Sequence, residues 1–82
     1  MTRDAIRKLV LDVLSGIAPE ADTGTLKDTA DLRDELDLDS MDMLGFATAL
    51  HEKLGIDIPE RDYARIASLG SCIEYLATKL RD

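Results

Sequence analysis

Hydrophobic positions recur along this chain at helical spacing, in three long stretches separated by polar segments. In the first, residues Thr2 to Ile17, the side chains Ile6, Leu9, Val10, Val13, Leu14 and Ile17 fall on one face. Thr2 suits the cap of this helix and Asp4 its first turn, while Gly16 and Pro19 mark its end. The second stretch runs from Ser40 to Leu54, with Gly55 as its stop and Asp39 as its N-cap; Asp42, three residues on, makes a variant capping box. Met43, Phe46, Ala47, Leu50 and Leu54 share its inner face, and Met41, Gly45, Thr48 and Glu52 lie outside with Leu44 beside them. The third runs from Leu69 to Leu80 behind Ser68 as cap, with Leu69, Cys72, Ile73, Leu76, Ala77 and Leu80 as its buried stripe.

The segments between these helices are less regular. Ala18 to Asp39 is rich in Thr, Asp and Gly, and it has apolar anchors at Leu26, Ala30, Leu32, Leu36 and Leu38. A connection of this length in a small domain is often functional. A short helical turn fits Asp31 to Leu36. Ile56 to Ile58 reads as extended because a proline follows, but a single strand there has no partner. Glu60 to Ile66 reads as a brief helix with Tyr63 and Ile66 facing inward. The expected fold class is all-α: a small bundle of three main helices plus one short helix, with a long loop between the first and second.

The total of 82 residues suits a single domain, residues 1–82, with one core. The chain has one Phe and no Trp, so that core is mostly aliphatic. A net charge of −7 disfavours nucleic acid and anionic membrane surfaces and favours partners with basic docking faces. The lone Cys72 precludes an internal disulfide and suits a reducing compartment. No apolar run is long enough to span a bilayer, and the start Met-Thr-Arg-Asp-Ala does not read as a signal peptide; the expectation is a cytoplasmic monomer without stable membrane insertion.

Charge and pattern together single out Ser40. It stands where an acidic loop meets a helix, at a terminus whose unpaired N–H groups and partial positive charge favour a phosphate. It is a poor nucleophile on its own. His51, the one histidine, is eleven residues further along the same helix, roughly 16 Å away at about 1.5 Å per residue. The flanking residues do not form a Gly-x-Ser-x-Gly elbow. The carboxylates Asp34, Glu35, Asp37, Asp39 and Asp42 do not form an EF-hand: counted from Asp37, the fifth, sixth and twelfth positions are Met41, Asp42 and Thr48. That leaves weak surface binding of a divalent cation as the most such a cluster offers. Ser40 therefore reads as a site that another enzyme modifies.

The six residues Leu36-Asp-Leu-Asp-Ser-Met41 resemble the attachment motif of acyl carrier proteins, commonly Leu-Gly-x-Asp-Ser-Leu. Leu54-Gly-Ile-Asp-Ile-Pro59 resembles that family's turn after its second helix, and Ile73-Glu-Tyr-Leu76 its last helix, so the resemblance covers almost the whole chain. It implies a stand-alone carrier, not an enzyme, with no catalytic or metal-binding residue. Ser40 would receive 4′-phosphopantetheine from coenzyme A through a phosphopantetheinyl transferase, and Asp39 would serve the transferase's recognition. Partner enzymes that load and transfer acyl groups would dock on Met41, Leu44 and Thr48. Phe46, Leu50, Ile58, Ile66, Cys72 and Ile73 would line an acyl cleft.

Three departures from the family pattern matter. Asp37 replaces the usual glycine, which predicts a different turn before the helix. Gly45, Thr48 and His51 make the docking side less negative than in a typical fatty-acid carrier, and Phe46 narrows the cleft. They imply a specialised member serving a dedicated pathway of fatty-acid, lipid or other acyl metabolism. The alternatives are an aminoacyl or D-alanyl carrier, a polyketide or peptidyl carrier, and an unmodified acidic module that binds a basic partner.

Overall fold

The computed structural model describes residues 1–81, so the last residue of the expected 1–82 domain lies outside it. Four α-helices follow in order: α1 (Arg3–Ile17), the single turn α2 (Leu32–Glu35), α3 (Ser40–Leu54) and α4 (Leu69–Leu80). Short 3-10 segments occupy Thr23–Thr25 and Glu60–Ile66. No strand forms among the described residues, in keeping with the all-α expectation; the nearest approach is an isolated antiparallel bridge between Asp31 and Ser68.

The helix boundaries follow local chemistry. The Thr2 hydroxyl accepts from the Ala5 amide and caps α1, and the Ser68 hydroxyl caps α4 through the Ser71 amide. α3 has a complete capping box: the Asp42 amide donates to Asp39 at 2.8 Å, and the Asp42 carboxylate accepts from the Asp39 amide at 3.2 Å. Gly55 ends α3 at φ +68°, a left-handed conformation that an L side chain disfavours.

α1 packs across both α3 and α4, and the Glu60–Ile66 segment packs against α4. Ile6, Val10 and Leu14 of α1 meet Phe46 and Leu50 of α3, with Leu69, Cys72 and Leu76 of α4, in one apolar cluster. The inner faces read from the sequence are observed, with Tyr75 added on α4 and with Leu9, Ile17, Leu54, Ala77 and Leu80 half-buried at the rim.

The long loop is fastened down. Leu32, Leu36 and Leu38 are buried, and Leu26 and Ala30 are half-buried. Asp28 forms an ion pair with Arg7 of α1 at 2.8 Å and accepts the Gly70 amide on its carbonyl at 2.8 Å. A Cβ at Gly70 would stand 3.1 Å from that carbonyl oxygen, so the close approach depends on glycine. The Leu32 amide donates to the Ala67 carbonyl at 2.7 Å, tying the loop to the start of α4.

Candidate functional site

Three local features bring Ser40 to the surface. The capping box fixes the first turn of α3, and buried Leu38 and Met43 anchor the chain on either side. α2 supplies the third. Its C-terminus closes with the Leu38 amide donating to the Arg33 carbonyl at 2.9 Å, and Asp37 between them takes φ +54°. This is the 6→1 bond of a Schellman ending, which requires one left-handed residue. Asp37 is the residue that takes this left-handed conformation. Aspartate is among the few L residues that visit this region routinely, so it holds the geometry that glycine ordinarily supplies.

Ser40 is exposed as the first residue of α3. Among the described residues, no carbonyl or carboxylate accepts from the amides of Ser40 and Met41. The flanking carboxylates of Asp39 and Asp42 are each turned onto a backbone N–H within the capping box. A phosphate on the Ser40 oxygen would thus meet free amide donors at the positive end of the helix, and the residues present fit such a group.

Met41 is 73% exposed and Leu44 47% exposed, both within about one turn of Ser40. A surface depression of about 670 Å³ begins here, walled by Arg33, Ser40, Met41, Leu44, Tyr63 and Ala64. Thr48 is exposed one turn further on and borders a second depression. Phe46, Leu50, Ile66, Cys72 and Ile73 lie together in the core, and Ile58 is half-buried at its edge.

His51 takes no part near Ser40. Its Nδ1 pairs with the Ile56 carbonyl at 2.7 Å, at the far end of α3. Among the described residues, no group of three or more His, Cys, Asp or Glu side chains converges to hold a metal ion. Cys72 is fully buried, and desolvation pushes its thiol up to about 12. A thiol so disposed is inert in the folded state.

Sequence periodicity missed two features. Tyr75 is 2% exposed although it lies off the predicted stripe of α4. Its hydroxyl donates to Asp62 at 2.7 Å, and the Arg65 guanidinium sits 4.9 Å from its ring centroid. The same burial, with the Asp62 carboxylate beside it, pushes the Tyr75 hydroxyl up to about 12. The second feature is the wall of the Ser40 depression, which draws Arg33 from α2 and Tyr63 from the 3-10 segment. Arg33 was visible as a base within an acidic run, but its position beside Ser40 was not.

Comparison with known proteins agrees with this architecture. The profile of the family described as "Phosphopantetheine attachment site" matches residues 4–76. The chain is 32% identical over its whole length to polyketide-8 synthase acyl carrier protein 2 of Streptomyces avermitilis, covering 88% of that protein. It is 31% identical to the acyl carrier protein of Wolinella succinogenes, with 92% of each chain covered. It is 29% identical to the mitochondrial acyl carrier protein of Neurospora crassa, spanning 96% of this chain and 59% of that one. Among solved structures, the acyl carrier protein of Enterococcus faecalis superposes with a TM-score of 0.82 at 23% identity, covering 96% of this chain and 99% of the other.

The chain belongs to the phosphopantetheine attachment family. Its function is that of an acyl carrier, with 4′-phosphopantetheine as the prosthetic group. Carriers of this family are in general not enzymes themselves and work with partner enzymes. No helix among the described residues is long and apolar enough to cross a membrane.

Proposed function

We propose that Ser40 carries the arm, and that residues 1–82 act as one non-enzymatic carrier domain that presents acyl thioesters to successive enzymes. The observation that carries this reading is the exposed hydroxyl at the first position of α3, inside the matched family region and beside unused amides. Ser40 Oγ attacks the pantetheine-bearing phosphorus of coenzyme A; the new phosphodiester forms as the pyrophosphate bond breaks, adenosine 3′,5′-bisphosphate leaves, and the Ser40 proton passes to the transferase. The terminal thiol of the arm, when present, holds the acyl group. Asp39 has two tasks: it caps α3, and it offers a carboxylate beside Ser40 for the transferase to recognise.

Met41 and Leu44 form an exposed apolar spot next to Ser40, and Thr48 continues it along α3. The surrounding carboxylates steer loading and transferring enzymes with basic docking surfaces onto this spot. A net charge of −7 supports partners of that kind over nucleic acid. Phe46, Leu50, Ile66, Cys72 and Ile73, with Ile58 at the rim, are the residues that part to receive an aliphatic chain. The domain acts as a cytoplasmic monomer.

Intact mass tests the central point. After incubation with coenzyme A and a phosphopantetheinyl transferase, the chain gains the mass of the arm, and Ser40→Ala does not. An unchanged wild-type mass, or a gain that survives in Ser40→Ala, would overturn the reading.

A further inference from the structure

The depression at Ser40 does not stand alone. Tyr63 also walls a second one of about 640 Å³, which takes Ala47, Thr48 and His51 from α3 and adds Ile58, Arg61 and Lys79. The two lie end to end along α3, from its first residue to its fourth turn.

Their charges differ. The first contains Arg33 together with Asp31 and Glu60. The second holds Arg61 and Lys79, with His51 beside them, in a domain of net charge −7. Neither Arg61 nor Lys79 forms an ion pair among the described residues, and Lys79 Nζ is poised 5.5 Å from the Tyr75 ring centroid. One carboxylate lines this end, that of Asp57; its side chain is 97% exposed and lies 3.5 Å from His51. The carboxylate of nearby Asp62 is already engaged by the Tyr75 hydroxyl.

Length sets what arrives there from Ser40. Eleven residues of α-helix separate Ser40 from His51, or roughly 16 Å at 1.5 Å per residue. A phosphopantetheine chain of about fourteen bonds, at peptide-like dimensions of about 3.5 Å per three bonds, reaches roughly 16 Å. An arm laid along α3 therefore delivers its terminal thioester to the basic end.

We propose that Arg61 and Lys79 form a cargo-reading site for acyl groups that end in a carboxylate, held outside the core at the far end of the groove that begins at Ser40. This rests on attachment of the arm at Ser40. A carboxylate is excluded from the apolar cleft because burial of an unpaired charge is heavily penalised. At the groove end it meets two free cations and remains hydrated. The pairing is exposed, so its strength is modest, and it discriminates between cargoes without trapping them.

Succinyl and butyryl groups test this, since both have four carbons and only one carries the second carboxylate. Each is loaded onto the full chain, and intact mass verifies loading before spectra are recorded. The succinyl form shifts the backbone amide resonances of Thr48, His51, Arg61 and Lys79; the butyryl form does not. In Arg61→Ala/Lys79→Ala the bound fraction falls roughly two- to fivefold, the effect of losing exposed ion pairs. Arg61→Lys/Lys79→Arg restores it, which separates charge from any loss of packing. Identical spectra for the two cargoes, or succinyl shifts that persist in the double alanine variant, overturn the proposal. Absence of the mass gain instead overturns attachment at Ser40, and this site with it.

Discussion

Asp37→Gly should make the domain more stable, although it removes a side chain. Asp37 occupies the one left-handed position that the end of α2 requires, at φ +54°. For an L residue that conformation costs about 1–2 kcal/mol, with aspartate at the low end. Glycine removes the penalty but brings a more flexible unfolded chain, an opposing effect of about 0.5–1 kcal/mol. Removing one charge from a run that also holds Asp34, Glu35 and Asp39 adds a few tenths of a kcal/mol at most, since the side chains are exposed. The net gain is small, about 0.5 kcal/mol and below about 1 kcal/mol, or roughly 2–4 °C in Tm for a domain of this size. Asp37→Ala is the control. It removes the same charge and keeps the full left-handed penalty, so, after the same opposing entropy of glycine, it should fall below Asp37→Gly by about 0.5–1 kcal/mol. Thermal melts by circular dichroism, with urea titrations at fixed salt, measure both. If alanine proves as stable as glycine, charge relief rather than backbone conformation governs this position, and the account of the turn that presents Ser40 fails.

Three further predictions concern single groups. Asp39→Ala should cost about 1 kcal/mol through loss of the capping box, whereas Asp39→Asn should retain most of the stability; if Asn also slows transferase modification, the carboxylate itself is recognised, measured by the initial rate of mass gain. Tyr75→Phe should cost about 1 kcal/mol at neutral pH by removing the 2.7 Å bond to Asp62. The Tyr75 hydroxyl is raised from 10 to about 12 in the fold, so the stability tied to its proton is complete below pH 10 and is lost as pH rises through about 12. Urea titrations of wild type and Tyr75→Phe across that range should therefore converge, and a constant difference would contradict the cause assigned. Cys72, fully buried with its thiol pushed up to about 12, should react with a thiol reagent only as fast as the domain opens; a fast reaction in the native state would show that the core between α3 and α4 is already open.

Local chemistry made most of the framework legible from the chain alone. The stripes at Ile6–Leu14, Met43–Leu50 and Leu69–Leu76 repeat at helical spacing, so the amphipathic faces follow directly from residue order. Thr2, Asp39 and Ser68 cap the helices they precede because a cap requires only a side-chain oxygen a few residues from free amides. The placement of Ser40 at the first position of α3 belongs to the same class of inference. Contacts made between elements distant in sequence were not legible. Tyr75 lies off the stripe of α4, and its burial depends on Asp62 and Arg65 arriving from another segment. Asp37 could be read as a departure from glycine, but only the 6→1 closure to Arg33 shows the left-handed turn it adopts. The groove along α3 exists because Arg33, the pair Arg61 and Tyr63, and Lys79 come from three separate segments. Periodicity determines which face a helix buries, while the packing of distant segments determines what surrounds the face it leaves exposed.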